Sequence, residues 1–290
     1  MFRVGAGMAL AGVLALGLAI PHTGEVHAAN AGAFMAVPAA ALPSFDHIVV
    51  ILEENKSLAE IVGNPQAPYL NSLAVGGASM TQSFGVAHPS EPNYLAMFSG
   101  STHGLTKDTC PVSYPDENLA HQLSTAGKTF AAYSESLPSP GYTGCKSGHY
   151  RRKIEPWTDF SNVPASVSRP LTALPSNFAD LPDVSFLVPN LKHDMHSGSI
   201  SVGDSWLAQH VDPYAQWART HNSLLVLTFD EDDHSAANHI ATFFYGAHIT
   251  PGSYPEHVTQ YSMLSTLQAL NGLPCTEESC STRPITDIWH

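Results

Sequence analysis

The sequence predicts an α/β fold: a doubly wound, mostly parallel sheet with helices on both faces, in a single domain. Two observations carry this expectation. Short apolar runs, such as residues 45–52 and 223–229, read as strands buried on both sides. Segments with helical spacing and their own start and stop residues stand between those runs, so strand and helix alternate along the chain. A third observation points to where function would lie. Polar clusters follow several of the strands directly, and in an open α/β sheet the carboxyl ends of parallel strands share one edge.

Taken in order, residues 1–29 read as a secretory signal peptide rather than as part of the fold. Arg3 supplies the positive start, residues 4–20 are Gly-, Ala- and Leu-rich, and small residues at 28–29 offer a cleavage site. The expected mature domain is therefore 30–290, exported, with no other stretch long and apolar enough for a membrane anchor. Residues 45–52 read as the first strand, followed by a helix through Tyr69–Leu73 that stops near Gly76-Gly77. Residues 80–86 read as a strand running into a helix that begins near Ser90, carries Pro92 in its first turn and ends at Gly100. A helix over 118–125, stopped by Gly127, leads to a strand over 129–133. Residues 136–180 are rich in Pro, Ser and Gly without a clear period; so long a stretch reads as an excursion with short elements lying over the active site. Residues 184–188 read as a strand, 206–219 as a helix bent at Pro213, 223–229 as a buried strand, 241–245 as another, and 262–270 as the last helix.

Composition narrows the partners. The formal net charge is −13, and loss of Arg3 and Glu25 with the leader leaves it unchanged. That balance disfavours nucleic acid and anionic membranes held by bulk charge. An anionic substrate would need local devices, such as a metal ion or a helix N-terminus. The four cysteines, Cys110, Cys145, Cys275 and Cys280, fit disulfides in an exported protein and lack the paired spacing of a metal site. Cys275–Cys280 would staple a short C-terminal loop, and Cys110–Cys145 would close a long excursion.

Four clusters stand after strands: Glu53-Glu54-Asn55; His88 to Asn93; His193-Asp194-Met195-His196; and Asp230 to His234 with Asn238-His239. Carboxylates, an amide and imidazoles without thiolates suit a hard or borderline divalent cation. Ser90 then has two open roles. It could cap its helix, or it could be a nucleophile at the positive end of that helix, activated by a nearby metal. Gly203-Asp204-Ser205 looks like the start of some lipases but falls late in the chain, where Asp204 or Ser205 reads as a helix cap. No Gly-x-Ser-x-Gly elbow occurs.

These residues resemble the secreted phosphoesterase family of bacterial acid phosphatases and phosphatidylcholine-type phospholipases C, within the alkaline-phosphatase superfamily. The resemblance runs from about Phe45 to Trp289 and rests on residues 49–57, 88–94, 189–191 with 194–196, and 228–233 with 238–239. It implies an alkaline-phosphatase-like fold, a divalent metal held by Glu54, Asn55, Asp230 and Glu231, and Ser90 as nucleophile. It also implies that His196 and His239 face the phosphate. Asn93, Asp194 and His88 are the candidates for orienting or binding a phosphate-ester substrate, with Asp194 open as a metal ligand or as a partner of His196. No obvious lipid-binding module is read after Trp289, so the expectation is a phosphomonoesterase forming a phosphoserine at Ser90. A phospholipase C-type diesterase is the alternative, and a non-catalytic phosphate- or glycan-binding protein is the second.

Overall fold

The computed structural model describes residues 42–290, so the leader read at residues 1–29 lies outside the described residues. The chain runs β1 (His47–Glu53), the single turn α1 (Leu58–Ile61), α2 (Pro68–Gly76), β2 (Ala78–Phe84), α3 (Ser90–Ser99), α4 (Leu119–Thr125) and β3 (Phe130–Ser134). The hairpin strands β4 (Lys146–Ser147) and β5 (Tyr150–Arg151), then β6 (Ser168–Pro170) and β7 (Val184–Val188), follow. The chain finishes with α5 (Ile200–His210), α6 (Asp212–Ala218), β8 (Ser223–Phe229), β9 (His239–Ile240), β10 (Thr242–Gly246), β11 (Gly252–Thr259) and α7 (Gln260–Leu270).

Nine strands form one sheet in the order β11-β2-β10-β8-β1-β7-β3-β6, with β9 paired to β2. β1 is parallel to both β7 and β8, β3 to both β6 and β7, and β2 to β11. β10 is antiparallel to β8 and β2, and β9 is antiparallel to β2. The reversal has a simple cause. A parallel return needs a crossover element, and the segment between Phe229 and Thr242 contains no helix to make one.

The doubly wound reading holds, with alternation along each strand dividing the core. Ile48, Val50 and Leu52 face one side with Leu95, Phe98, Leu123, Leu264 and Leu267, so α3, α4 and α7 cover that face. Val49 and Ile51 face the other with Leu70, Leu73, Leu207, Tyr214 and Ala215, where α2, α5 and α6 pack. β1 and β8 register over seven consecutive pairs, from His47–Ser223 to Glu53–Phe229, so both strands end at the same level.

Three readings need correction. The helix expected over 206–219 is two helices: α5 already starts at Ile200, capped by Ser199, and the break falls at Val211, ahead of Pro213. β11 is a strand that the sequence hides, since Gly252 to Thr259 is polar and contains Pro255. It stands at the sheet edge and shifts register between Tyr254 and His257, where a missing N–H is tolerated. Asp204 is a cap, but of another helix. From within α5 its carboxylate accepts the backbone N–H groups of Tyr69 (3.0 Å) and Leu70 (2.8 Å) at the start of α2, whose own cap position is Ala67. Gly203 beside it is required by packing, because a Cβ there would lie 2.8 Å from the His193 carbonyl oxygen.

The four cysteines form the disulfides Cys110–Cys145 and Cys275–Cys280. Among the described residues no helix is long and apolar enough to cross a membrane.

Candidate active site

The ends of β1 and β8 meet the start of α3 at the carboxyl edge of the sheet. α3 begins at Ser90, with Pro89 in the cap position, and the Ser90 side chain makes no capping bond. The cap role is therefore corrected. The buried hydroxyl points across to the strand ends instead, 2.9 Å from Glu231 Oε1 and 3.1 Å from Glu54 Oε2. One proton serves two acceptors, so the hydroxyl donates to either carboxylate.

The loop leading into α3 is fixed from two sides. Asn93, wholly buried, accepts the N–H groups of Val86 and Ala87 at 2.9 Å each and donates to the carbonyls of Ala87 and Pro89. Its amide is consumed by the loop that orients Ser90. Asn238 donates to the Ala87 carbonyl and accepts the Asp232 N–H, which ties that loop to the one after β8. Gly85 permits the approach, since a Cβ there would stand 2.5 Å from Asn238 Nδ2.

Asn55 follows β1 in the left-handed region, φ 55°, which Asn enters more readily than most residues. That turn sends its N–H to Asp230 Oδ1 (3.0 Å) and its Nδ2 to Glu231 Oε1 (2.9 Å). His88 contacts Glu231 Oε2 through Nδ1 and Asp232 Oδ1 through Nε2 at 3.2 Å, and its ring stacks on His234. Asp194 lies under the end of β1: its carbonyl accepts the Glu54 N–H, and its Oδ1 accepts the His196 N–H at 2.8 Å.

Ser90, Glu54, Asn55, Asp230, Glu231 and His88 are thus brought together, with Asn93 and Asp194 supporting them. The other two histidines make different contacts. The exposed His196 ring meets Ser197 Oγ, while His239 reaches the Thr81 carbonyl at 2.9 Å and stacks on Phe84.

Sequence reasoning missed Lys153. It arrives from the 136–180 excursion, on the short turn Arg152–Ile154 after β5, and places Nζ 3.0 Å from Ser90 Oγ, 3.0 Å from Asp108 Oδ2 and 3.5 Å from Glu54 Oε2. A signal was available: Arg151-Arg152-Lys153 is a dense basic run in a chain with only 12 Lys and Arg.

The acids are crowded and dry. Burial, reinforced by the charges of Glu54 and Glu231, pushes the Asp230 carboxyl well above the usual range, and burial with Glu54 does the same to Asp194. Glu53 is also driven up by burial and by Asp194, on the opposite face of β1. For Lys153, burial pulls downward, but the Glu54 and Asp108 carboxylates outweigh it and hold the ammonium charged. Glu54 Oε1, Asp194 Oδ2 and Asp230 Oδ2 are buried without a hydrogen-bond partner. Among the described residues no three His, Cys, Asp or Glu side chains stand as a ready-made metal site. The converging groups engage one another, Ser90 and Lys153.

The fold, a mostly parallel sheet flanked by helices, is shared with a solved structure assigned to the alkaline-phosphatase superfamily. That structure, described as a protein in the superfamily from Vibrio parahaemolyticus, superposes with a TM-score of 0.57 at 14% identity, covering 85% of this chain and 72% of that one. Residues 64–274 match the Phosphoesterase family, and the chain belongs to it. The phosphatidylinositol-3-phosphatase of Mycobacterium tuberculosis is 50% identical over 99% of this chain and 95% of its own. The phosphate-repressible acid phosphatase of Penicillium chrysogenum is 30% identical over 88% of this chain and 66% of its own. The protein is a hydrolase acting on phosphoric ester bonds.

Proposed function

We propose that the chain is an exported, metal-dependent phosphomonoesterase of acid-phosphatase type that works through a phosphoserine at Ser90. The observation that carries this reading is the setting of the Ser90 hydroxyl. It is the first residue of a ten-residue helix, buried, between two carboxylate acceptors and one ammonium donor. A serine used only as a cap would turn its oxygen to its own helix.

Ser90 Oγ attacks phosphorus while its proton passes to Glu231 Oε1 or Glu54 Oε2. The ester P–O bond breaks, the electron pair leaves on the alcohol oxygen, and that oxygen takes a proton from water. In the second half, water attacks the phosphoserine and its proton neutralises the hydroxide left in solvent, the Ser90 O–P bond breaks, and the carboxylate returns its proton to Ser90 Oγ. The positive end of α3 favours the phosphoryl oxygens throughout. Asn93 and Asn238 hold the loop that aims Ser90, and His88 braces Glu231.

The residues fit a divalent cation by their chemistry: Glu54, Asp230 and Glu231 are hard oxygen donors, Asn55 adds an amide, and Glu54 Oε1 and Asp230 Oδ2 are orphaned oxygens. When bound there, such an ion would polarise the phosphoryl oxygens and acidify the hydroxyl. The 50% identical relative carries the name phosphatidylinositol-3-phosphatase. A 3-phosphate on an inositol ring is a monoester, which supports phosphoinositides among the monoester substrates. Export is supported by the leader read at residues 1–29 and by the two disulfides.

The test is intact-mass spectrometry of enzyme quenched in acid during turnover of p-nitrophenyl phosphate. A phosphoryl adduct mapping to Ser90, absent from Ser90→Ala, is expected. Faster turnover of p-nitrophenyl phosphorylcholine than of the monoester would replace the monoesterase reading with a diesterase.

A further inference from the structure

We infer that Lys153 is a further catalytic residue of the phosphoryl transfer, its ammonium touching the reacting oxygen of Ser90 and holding the negative charge that gathers there. The inference rests on Ser90 being the nucleophile.

A lysine that only offset buried acids would spend its donors on carboxylates. Lys153 spends one on a neutral hydroxyl: Nζ stands 3.0 Å from Ser90 Oγ, with Asp108 Oδ2 at 3.0 Å and Glu54 Oε2 at 3.5 Å. An ammonium has three donors and no acceptor, so it must approach a lone pair of Oγ. That contact turns the hydroxyl proton the other way, toward Glu231 Oε1 and Glu54 Oε2. As the O–P bond forms and the hydroxyl proton is given up on the side away from Nζ, Oγ carries negative charge within reach of a cation. The Lys153 side chain is 13% exposed and that of Glu54 fully buried, so little water screens the interaction.

The chain spends structure on placing this ammonium. Next to it, the buried Arg152 guanidinium donates to the carbonyls of Val112, Thr143 and Thr158 and pairs with Asp159 at 2.8 Å. Asp108, which takes the ammonium on Oδ2, accepts the Glu91 N–H on Oδ1 at 3.1 Å, in the first turn of α3. Lys153 is thereby registered against the helix that carries the nucleophile. The Cys110–Cys145 disulfide joins the two segments that supply Asp108 and Lys153.

The experiment follows phosphoserine formation at Ser90 by rapid acid quench and mass spectrometry, using full-length, metal-replete enzyme and p-nitrophenyl phosphate. Lys153→Met should slow phosphoserine formation and kcat by about 100-fold, the scale of losing one charge-stabilising donor, while KM changes little. Lys153→Arg should recover about tenfold of that loss, since the charge returns with a different shape. If Lys153→Met does not fold, Asp108→Asn reports in its place, because it loosens the ammonium from outside the reacting group; a loss of about tenfold in the same step is expected. Phosphoserine formation at the wild-type rate in Lys153→Met, or in Asp108→Asn where the first does not fold, overturns the inference, provided Ser90→Ala is inactive. A wild-type enzyme that forms no phosphoserine, together with an active Ser90→Ala, overturns the nucleophile reading itself.

Discussion

Asn55 Nδ2 donates to Glu231 Oε1 at 2.9 Å, joining two residues 176 positions apart in the chain. The bond exists because β1 and β8 are in register to their last residues, Glu53 and Phe229. Glu231 then has one oxygen on Asn55 and Ser90 and the other on His88, so the end of β1 and the loop into α3 converge on one carboxylate.

That crowding makes cation dependence the first prediction. Asp230 is fully buried, and burial with the charges of Glu54 and Glu231 holds its carboxyl in the protonated direction. A divalent cation that drew the protons off would stabilise the folded state by mass action. Exhaustive chelation should abolish turnover and lower Tm, and Asp230→Asn should weaken the ion by at least about tenfold. Elemental analysis beside differential scanning calorimetry checks both. Full turnover in protein shown to be metal-free would sink the claim.

Much of this arrangement was legible beforehand, and the reason is topological. Parallel strands that alternate with helices present their carboxyl ends together, so polar residues following 45–52 and 223–229 had to share an edge. Their order across the sheet was not legible, nor was the direction of β10, because pairing is decided between segments. Lys153 was hidden for a different reason. It lies in an aperiodic stretch and reaches Ser90 through Arg152, Asp108 and a disulfide, none of which leaves a pattern along the sequence. The role of Asp204 was misplaced because a cap normally belongs to its own helix; here α2 borrows a carboxylate from α5.

The Asn93 side chain makes four hydrogen bonds to the backbone of the loop at 86–89. Asn93→Ala removes the partner of the Val86 and Ala87 N–H groups and of the Pro89 carbonyl, at about 1–3 kcal/mol, while Asn238 still donates to the Ala87 carbonyl. Because the loop aims Ser90, kcat should fall more than this stability loss alone explains, with the folded fraction set by circular dichroism. Unchanged kcat in folded Asn93→Ala would show that the loop is held by Asn238 alone.

The two disulfides should separate. Cys110–Cys145 closes a separation of 35 residues and Cys275–Cys280 one of 5. Chain-entropy reasoning gives about 4 kcal/mol for the first and about 2 kcal/mol for the second. Replacing Cys110 and Cys145 together by Ser should also lower kcat, since that link steadies the segments bearing Asp108 and Lys153. Replacing Cys275 and Cys280 should leave kcat per folded molecule within about twofold, as the bond closes a turn that packs on Gly100, at the opposite end of α3 from Ser90. Equal kcat losses in both pairs would contradict this division.

Stability should decline toward alkaline pH, and Glu155 is the group to watch. Its side chain is fully buried, and burial pushes its carboxyl from the ordinary value of 4.5 up to about 7, against the hydrogen bond that Tyr150 donates to Oε2 at 3.0 Å. A carboxyl raised on folding is protonated in the native state where the unfolded chain is already charged. Its contribution is therefore fully present below pH 4.5 and is lost as pH rises through about 7. Glu155→Gln keeps the shape and the neutral state, so it should flatten this part of the profile and raise Tm at pH 8 relative to wild type. Thermal melts between pH 4 and 8 read the difference. A wild-type protein that gains stability across that window, with Glu155→Gln doing the same, would mean that Glu155 is ionised in the folded state and that the Tyr150 hydroxyl stabilises its charge.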